Sequence, residues 1–293
     1  MPTPRMLLGT CVVDGKVYAI GGAPAPHAGL ATVEEYYPAT NAWTRKANMP
    51  TPRAFFTTSA VSGKIYAVGG AMDTSGPAFK TVEEYDPETD TWTRKADLPQ
   101  PRYLHAAAVA GGKIHVAAGS WQAYTASKML FVYDPATDSW ETKAEAPTAR
   151  SWLCGSEADG KMYVIGGDFG PPKAAVEEYD PEADAWRSLA DMPNPRGALA
   201  AATLDSTIYV AGGTITLHSD TQSTFEAFVP NPLAGYFKRG DTNSDNRVDI
   251  ADAVSVLGYL FAQAEAPACA DTADANDDGK IDIADAIAVL GHL

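Results

Sequence analysis

The feature that most constrains this chain is a fivefold internal duplication. Arginines recur at Arg5, Arg53, Arg102, Arg150 and Arg196, 46–49 residues apart, and Trp43, Trp92, Trp140 and Trp186 follow in the same rhythm. Residues 49–92 repeat residues 1–43 almost position for position. Units of this length cannot bury their apolar faces alone, so the chain must stack them or fan them around an axis.

Every unit has one internal grammar. After the arginine comes a run of small and apolar residues such as Ala106, Ala107 and Ala108, and then a glycine-containing turn. A short alternating strand follows, ending in a glycine pair such as Gly69-Gly70 or Gly166-Gly167. A third strand covers 82–86 in the second unit, Asp90 closes the next turn, and a fourth strand carries Trp92. Four short strands punctuated by turn residues give one antiparallel sheet per unit. Small residues suit strands crowded near a hub, and outer Tyr and Trp supply the bulk needed between diverging sheets. The expected fold is all-β: a propeller of five four-stranded blades, with repeats at about 1–48, 49–97, 98–145, 146–191 and 192–237.

These marks resemble the kelch repeat, whose signature is a glycine pair after an apolar strand, then a Tyr, then a Trp. Gly69-Gly70, Tyr85 and Trp92 match it in the second unit, as do Gly166-Gly167, Tyr179 and Trp186 in the fourth. The resemblance covers 1–237. The third unit departs with Ala118-Gly119. The fifth has no Trp, so its outer strand is either missing or supplied by Tyr236-Phe237. Five units are fewer than is usual in kelch propellers, and Met1 aligns with Met49 and Met192, as an internal methionine of a longer chain would. A closed five-bladed ring is expected, because an open arc would expose two apolar sheet faces.

The last 56 residues form a different duplication. Counting from Asp241 and from Asp274, oxygen-bearing side chains fall at loop positions 1, 3, 5, 9 and 12: Asp241, Asn243, Asp245, Asp249 and Asp252, then Asp274, Asn276, Asp278, Asp282 and Asp285. Position 7, Arg247 and Lys280, offers a backbone carbonyl. That spacing wraps a loop around calcium. Gly279 and Asn246 suit the positive φ needed at position 6, and an apolar helix follows each loop. Pro230, Pro232 and Gly235 crowd the first entrance and Pro267 the second, which argues against a helix before each loop. Two loop–helix motifs in 238–293 therefore resemble a type I dockerin rather than an EF-hand. The resemblance implies a small α domain, two calcium ions and a cohesin-type protein partner. Ile250-Ala251 and Ile283-Ala284 stand where well-studied dockerins often carry Ser-Thr. Each loop gathers four carboxylates that repel one another, so metal binding and folding are expected to be one event.

A formal net charge of −15 leaves no basic stripe of the kind nucleic acid requires, and no stretch has the length of a membrane span. Loops of this kind load from the millimolar calcium outside cells, so the expected location is extracellular or at the cell surface. Cys11 and Cys154 read as small buried apolar residues of inner strands.

One propeller mouth is expected to gather Tyr103, His105, Trp121, Tyr124, Trp152, Asp168 and Phe169. Rings with a polar edge stack on sugars and hydrogen-bond hydroxyls, so these are the candidate contacts for a carbohydrate or protein ligand. The competing reading is that several of them plug the channel. The repeat arginines are expected to brace blades by pairing with acids such as Glu34, Glu83 and Glu177. No catalytic motif is present. The expected function is a non-catalytic interaction protein. The alternatives are a carbohydrate-active enzyme, either a sugar epimerase or a polysaccharide-degrading component, and a structural spacer.

Overall fold

The computed structural model describes residues 1–24, 28–73, 76–122, 125–168, 171–215 and 221–230. The chain divides into two units, Met1–Phe228 and Val229–Leu293, and the fold below is that of the first. The calcium loops, their helices and Tyr236-Phe237 lie outside the described residues.

The first unit is a five-blade all-β propeller. Blade 1 holds β1 (Gly9–Val13), β2 (Lys16–Ile20), β3 (Val33–Tyr37) and β4 (Ala42–Lys46), paired antiparallel in that order. Blade 2 holds β5 (Thr57–Val61), β6 (Lys64–Val68), β7 (Val82–Asp86) and β8 (Thr91–Lys95). Blade 3 holds β9 (Ala106–Ala110), β10 (Lys113–Ala117), β11 (Leu130–Asp134) and β12 (Ser139–Lys143). Blade 4 holds β13 (Cys154–Ala158), β14 (Lys161–Ile165), β15 (Val176–Asp180) and β16 (Ala185–Ser188). Among the described residues blade 5 has three strands, β17 (Ala200–Leu204), β18 (Thr207–Ala211) and β19 (Phe225–Phe228).

Local chemistry sets this pattern. Asp14-Gly15, Ser62-Gly63 and Asp159-Gly160 take positive φ at both turn positions, which matches the twist of a two-residue hairpin. The second strands, apolar on both faces, are buried along nearly their whole length in blades 2 to 4. The outermost strands show one face to solvent. Gly21 sits at φ 58°, and a Cβ there would lie 2.8 Å from the Arg53 carbonyl oxygen of the next blade. The glycine pairs therefore answer close approach between blades as well as the turn.

Consecutive blades are joined by three recurring sets of bonds. The N–H of the second glycine donates to the next blade's arginine carbonyl: Gly22 to Arg53, Gly70 to Arg102, Gly119 to Arg150 and Gly167 to Arg196, at 2.7–3.0 Å. Around the hub, Phe55 donates to Leu7, Leu104 to Phe55, Trp152 to Leu104 and Ala198 to Trp152, at 2.8–3.2 Å. All five of those hub residues have φ between 53° and 60°, a strained conformation for side chains of this size. On the rim, Trp92, Trp140 and Trp186 donate to Ala47, Ala96 and Ala144 of the preceding blade. An apolar cluster fills each of the four interfaces.

The fifth interface differs. Gly213 to Arg5 and Leu7 to Ala198 would complete the first two series, and neither bond forms among the described residues. Leu204 is 63% exposed, whereas Val13, Val61, Ala110 and Ala158 at the same repeat position are at most 7% exposed. Phe225 is 67% exposed against at most 2% for Val33, Val82, Leu130 and Val176. Val12 of blade 1 is exposed as well. The closed ring expected from sequence is thus replaced by an arc with a seam between blades 5 and 1. It exposes the two apolar faces whose burial was the argument for closure. Repeat logic identifies which faces match; it does not fix whether five blades subtend a full circle.

Candidate functional site

The arginines brace their own blades rather than forming a cationic ring. Arg5 pairs with Glu34 at 2.6 Å, Arg53 with Glu83 at 2.7 Å, Arg150 with Glu177 at 2.6 Å and Arg196 with Glu226 at 2.8 Å. The arginine side chains are fully buried in these pairs. Thr3, Thr51 and Asn194 donate to the other oxygen of Glu34, Glu83 and Glu226. The hydrogen bond from Arg196, with a smaller opposing effect of burial, leaves the Glu226 carboxyl below its usual range. A buried ion pair of this kind is costly to break from one side only.

Blade 3 breaks the rule. Phe131 occupies the glutamate position, and the Arg102 guanidinium lies 4.9 Å from the centre of its ring. Arg102 is fully buried; its Nη1 donates to the Ala118 carbonyl at 2.6 Å, while Nε and Nη2 have no partner among the described residues. Burial pushes its pKa down to about 10, so it stays charged at neutral pH. His105 is a second departure in the same blade, since Leu8, Phe56, Leu153 and Leu199 hold its position elsewhere. Its Nε2 shares a 2.8 Å hydrogen bond with Thr57 Oγ1, and its buried Nδ1 has no partner. Burial and then the nearby Arg102 and Arg53 push its pKa down to about 3, so the ring is neutral.

An open cavity of about 610 Å³ lies at the hub, lined by residues of all five blades, with Phe55 and Trp152 among its walls. No Lys, Arg, Asp or Glu lines it; Thr10, Thr57, Thr58 and His105 supply its polar side chains. The cavity size falls in the range of small-molecule sites, roughly 300–1,000 Å³.

The mouth residues divide. Tyr103 is buried, with its ring edge-on to Phe55 at 6.4 Å, and Trp152 meets Phe55 in the same way at 5.9 Å. These rings belong to one apolar cluster with Ala54 and Ala71. Trp121 is 41% exposed. Asp168 pairs with Lys173 at 3.0 Å and accepts the Ser151 N–H, which ties the segment after β14 to the one before β13. Tyr124 and Phe169 lie outside the described residues, as do Asp241, Asn243, Asp245, Arg247, Asp249, Asp252, Asp274, Asn276, Asp278, Lys280, Asp282 and Asp285. His105 lies in the cavity wall. Sequence reasoning placed Arg102 in the arginine series but missed that Phe131 stands where its glutamate would be; aligning the glutamate column of the repeats exposes that pair.

Residues 1–167, more than half of the chain, match the KLHDC2/KLHL20/DRC7 Kelch-repeats domain. The chain belongs to the kelch-repeat family. A kelch motif also matches at 156–193 and a dockerin type I domain at 239–293. The solved structure of YjhT superposes on this kelch propeller with a TM-score of 0.68 at 15% sequence identity, covering 76% of this chain and 80% of that one. At that identity the likeness concerns fold alone. No match is found among curated proteins. Dockerin type I domains are calcium-binding modules. Among the described residues of this kelch-repeat protein, no helix is long and apolar enough to cross a membrane.

Proposed function

We propose that this kelch-repeat protein is a secreted, non-catalytic interaction protein. Its propeller presents a ligand site, and residues 238–293 dock it to a cohesin-type partner in a calcium-dependent way. The observation that carries this reading is the dockerin type I match over 239–293, on the same residues whose two loops repeat hard oxygen donors at calcium spacing. Asp241, Asn243, Asp245, Asp249 and Asp252, with the Arg247 carbonyl, would hold one ion. Asp274, Asn276, Asp278, Asp282 and Asp285, with the Lys280 carbonyl, would hold the other. Carboxylate and amide oxygens favour calcium over softer metals. An extracellular setting supplies that calcium.

The propeller suits a display role because its repeat charges are consumed internally in four of five blades. Titration calorimetry of the full chain against a type I cohesin module tests the docking. Saturable binding in millimolar calcium that disappears with chelator supports it. Binding unaffected by chelator, or none with calcium present, refutes it.

A further inference from the structure

The seam between blades 5 and 1 is bounded by two faces that the chain covers everywhere else. On blade 5, Leu204 and Phe225 are exposed and Tyr209 is half-buried, whereas their counterparts Val61, Val82 and Tyr66 in blade 2 are buried against blade 3. On blade 1, Val12 is exposed and Val17 and Tyr36 are half-buried. The counterparts of the last two, Ile65 and Tyr85, have no exposure and pack on blade 1. Blade 5 thus carries the forward half, and blade 1 the rear half, of an interface that the chain builds four times.

The polar groups on these faces match in the same way. Among the described residues, the Gly213 N–H and the Ala198 carbonyl of blade 5 lack the partners that their counterparts find in a following blade. On blade 1, the Arg5 carbonyl and the Leu7 N–H lack the partners that a preceding blade supplies. The Trp43 indole N–H has no acceptor among the described residues either, although Trp92, Trp140 and Trp186 each donate to an alanine carbonyl of the preceding blade. Apolar surface and unpaired backbone groups side by side mark a surface made to be covered.

The slot is narrow. Leu8, Gly9 and Thr10 of blade 1 and Ala198, Leu199 and Ala200 of blade 5 wall the same hub cavity, so the two ends converge on the hub. A whole second copy stacked on blade 5 in the repeat geometry would drive its own second blade into blade 1. The superposition on YjhT spans 76% of this chain, about 223 of 293 residues, and these make up 80% of that chain, so about 56 residues of YjhT have no counterpart here. One unit of this chain is 46–49 residues long. We propose that the seam is a docking slot for a single four-stranded polypeptide unit of this same repeat, one that residues 1–293 do not include, wedged between blade 5 and blade 1. Such a unit brings an arginine carbonyl and a hub N–H to blade 5. To blade 1 it brings a glycine-pair N–H, a hub carbonyl and a rim carbonyl for Trp43. Docking of residues 238–293 to a cohesin-type partner plays no part in it.

An extended chain with a copy of residues 49–97 placed before Met1 tests the slot, because Met1 then follows Asp97 as Leu98 does and the repeat spacing is kept. Tethered there, the extra unit can stack on blade 1 alone; only a slot one blade wide also brings it onto Leu204. In the parent chain, Leu204→Lys should leave the urea midpoint nearly unchanged, as at an exposed site. In the extended chain the midpoint should rise, and Leu204→Lys or Val12→Lys should each lower the folding constant at least about tenfold, because the lysine is then buried without a partner. A midpoint that does not rise, or a Leu204→Lys loss that is the same in both chains, would overturn the proposal. Sedimentation of the parent chain should show a monomer across concentrations. A dimer dispersed by Leu204→Lys would assign the seam to a second copy and overturn it as well.

Discussion

The indole Nε1 of Trp140 donates to the backbone carbonyl of Ala96 at 2.9 Å, while the N–H of Ala96 donates to Asp138 at 2.8 Å. Blade 3 thereby grips both backbone polar groups of one residue of blade 2, and Tyr133 Oη donates to Asp138 at 2.6 Å. Trp92 with Asp90, and Trp186 with Asp184, repeat the arrangement.

Asp138→Ala should cost about 1–3 kcal/mol, because it removes the acceptor of a part-buried tyrosine hydroxyl and of an exposed backbone N–H. Asn41, the counterpart in blade 1, accepts only from Tyr36 at an exposed site. Asn41→Ala should therefore cost less than about 1 kcal/mol. Urea denaturation of both variants checks the contrast. Equal losses would mean that Asn41 also grips a neighbouring blade.

The arginines give a second contrast. Arg53→Met strands Glu83 in the interior and should destabilise by about 3–5 kcal/mol. Arg102→Met strands no carboxylate and removes one hydrogen bond and one ring contact, so its loss should stay below about half of that. Matched denaturation curves with unchanged slopes provide the comparison.

The seam predicts tolerance where the repeat pattern predicts intolerance. Leu204→Lys should change stability by no more than about 0.5 kcal/mol, as expected of an exposed site. Ala158→Lys, at the same repeat position but 2% exposed, should unfold the blade 4–blade 5 interface. Severe destabilisation by Leu204→Lys would show that the faces are covered in solution.

The pH dependence follows from His105. Its folded pKa of about 3 lies below the unfolded value near 6.5, so between those values the unfolded chain binds a proton that the folded chain does not. Stability present above pH 6.5 is lost as pH falls through this window, by up to about 1.4 kcal/mol per unit. His105→Leu should reduce the slope between pH 6.5 and 4.5, above the range where carboxylates such as Glu226 begin to contribute, leaving the share of His115, whose pKa burial also lowers. An unchanged slope in the variant would contradict the assignment.

Most of the blade architecture is readable from sequence because each strand and turn is specified locally, and five copies vote on every position. Arg5–Glu34, Arg53–Glu83 and Arg150–Glu177 were foreseeable because the acid recurs at a fixed place on the third strand. The seam was not, since the angle between blades is set by packing of whole faces rather than by any residue. The packing of the mouth aromatics was illegible for a related reason. Composition shows that Tyr103, Phe55 and Trp152 converge, but whether they face solvent or one another depends on hub width. That Arg102 lacks an acid partner went unread because the sign of it is an absent residue, the glutamate replaced by Phe131.

On the proposed function, the propeller needs no ion, whereas the loops of the tail would close on calcium. Differential scanning calorimetry of the full chain, with and without a chelator, tests that division most directly. Two transitions in calcium, of which the chelator removes one and leaves the propeller's untouched, is the predicted result. A single transition that ignores the chelator, or a propeller transition that shifts with it, would contradict the account.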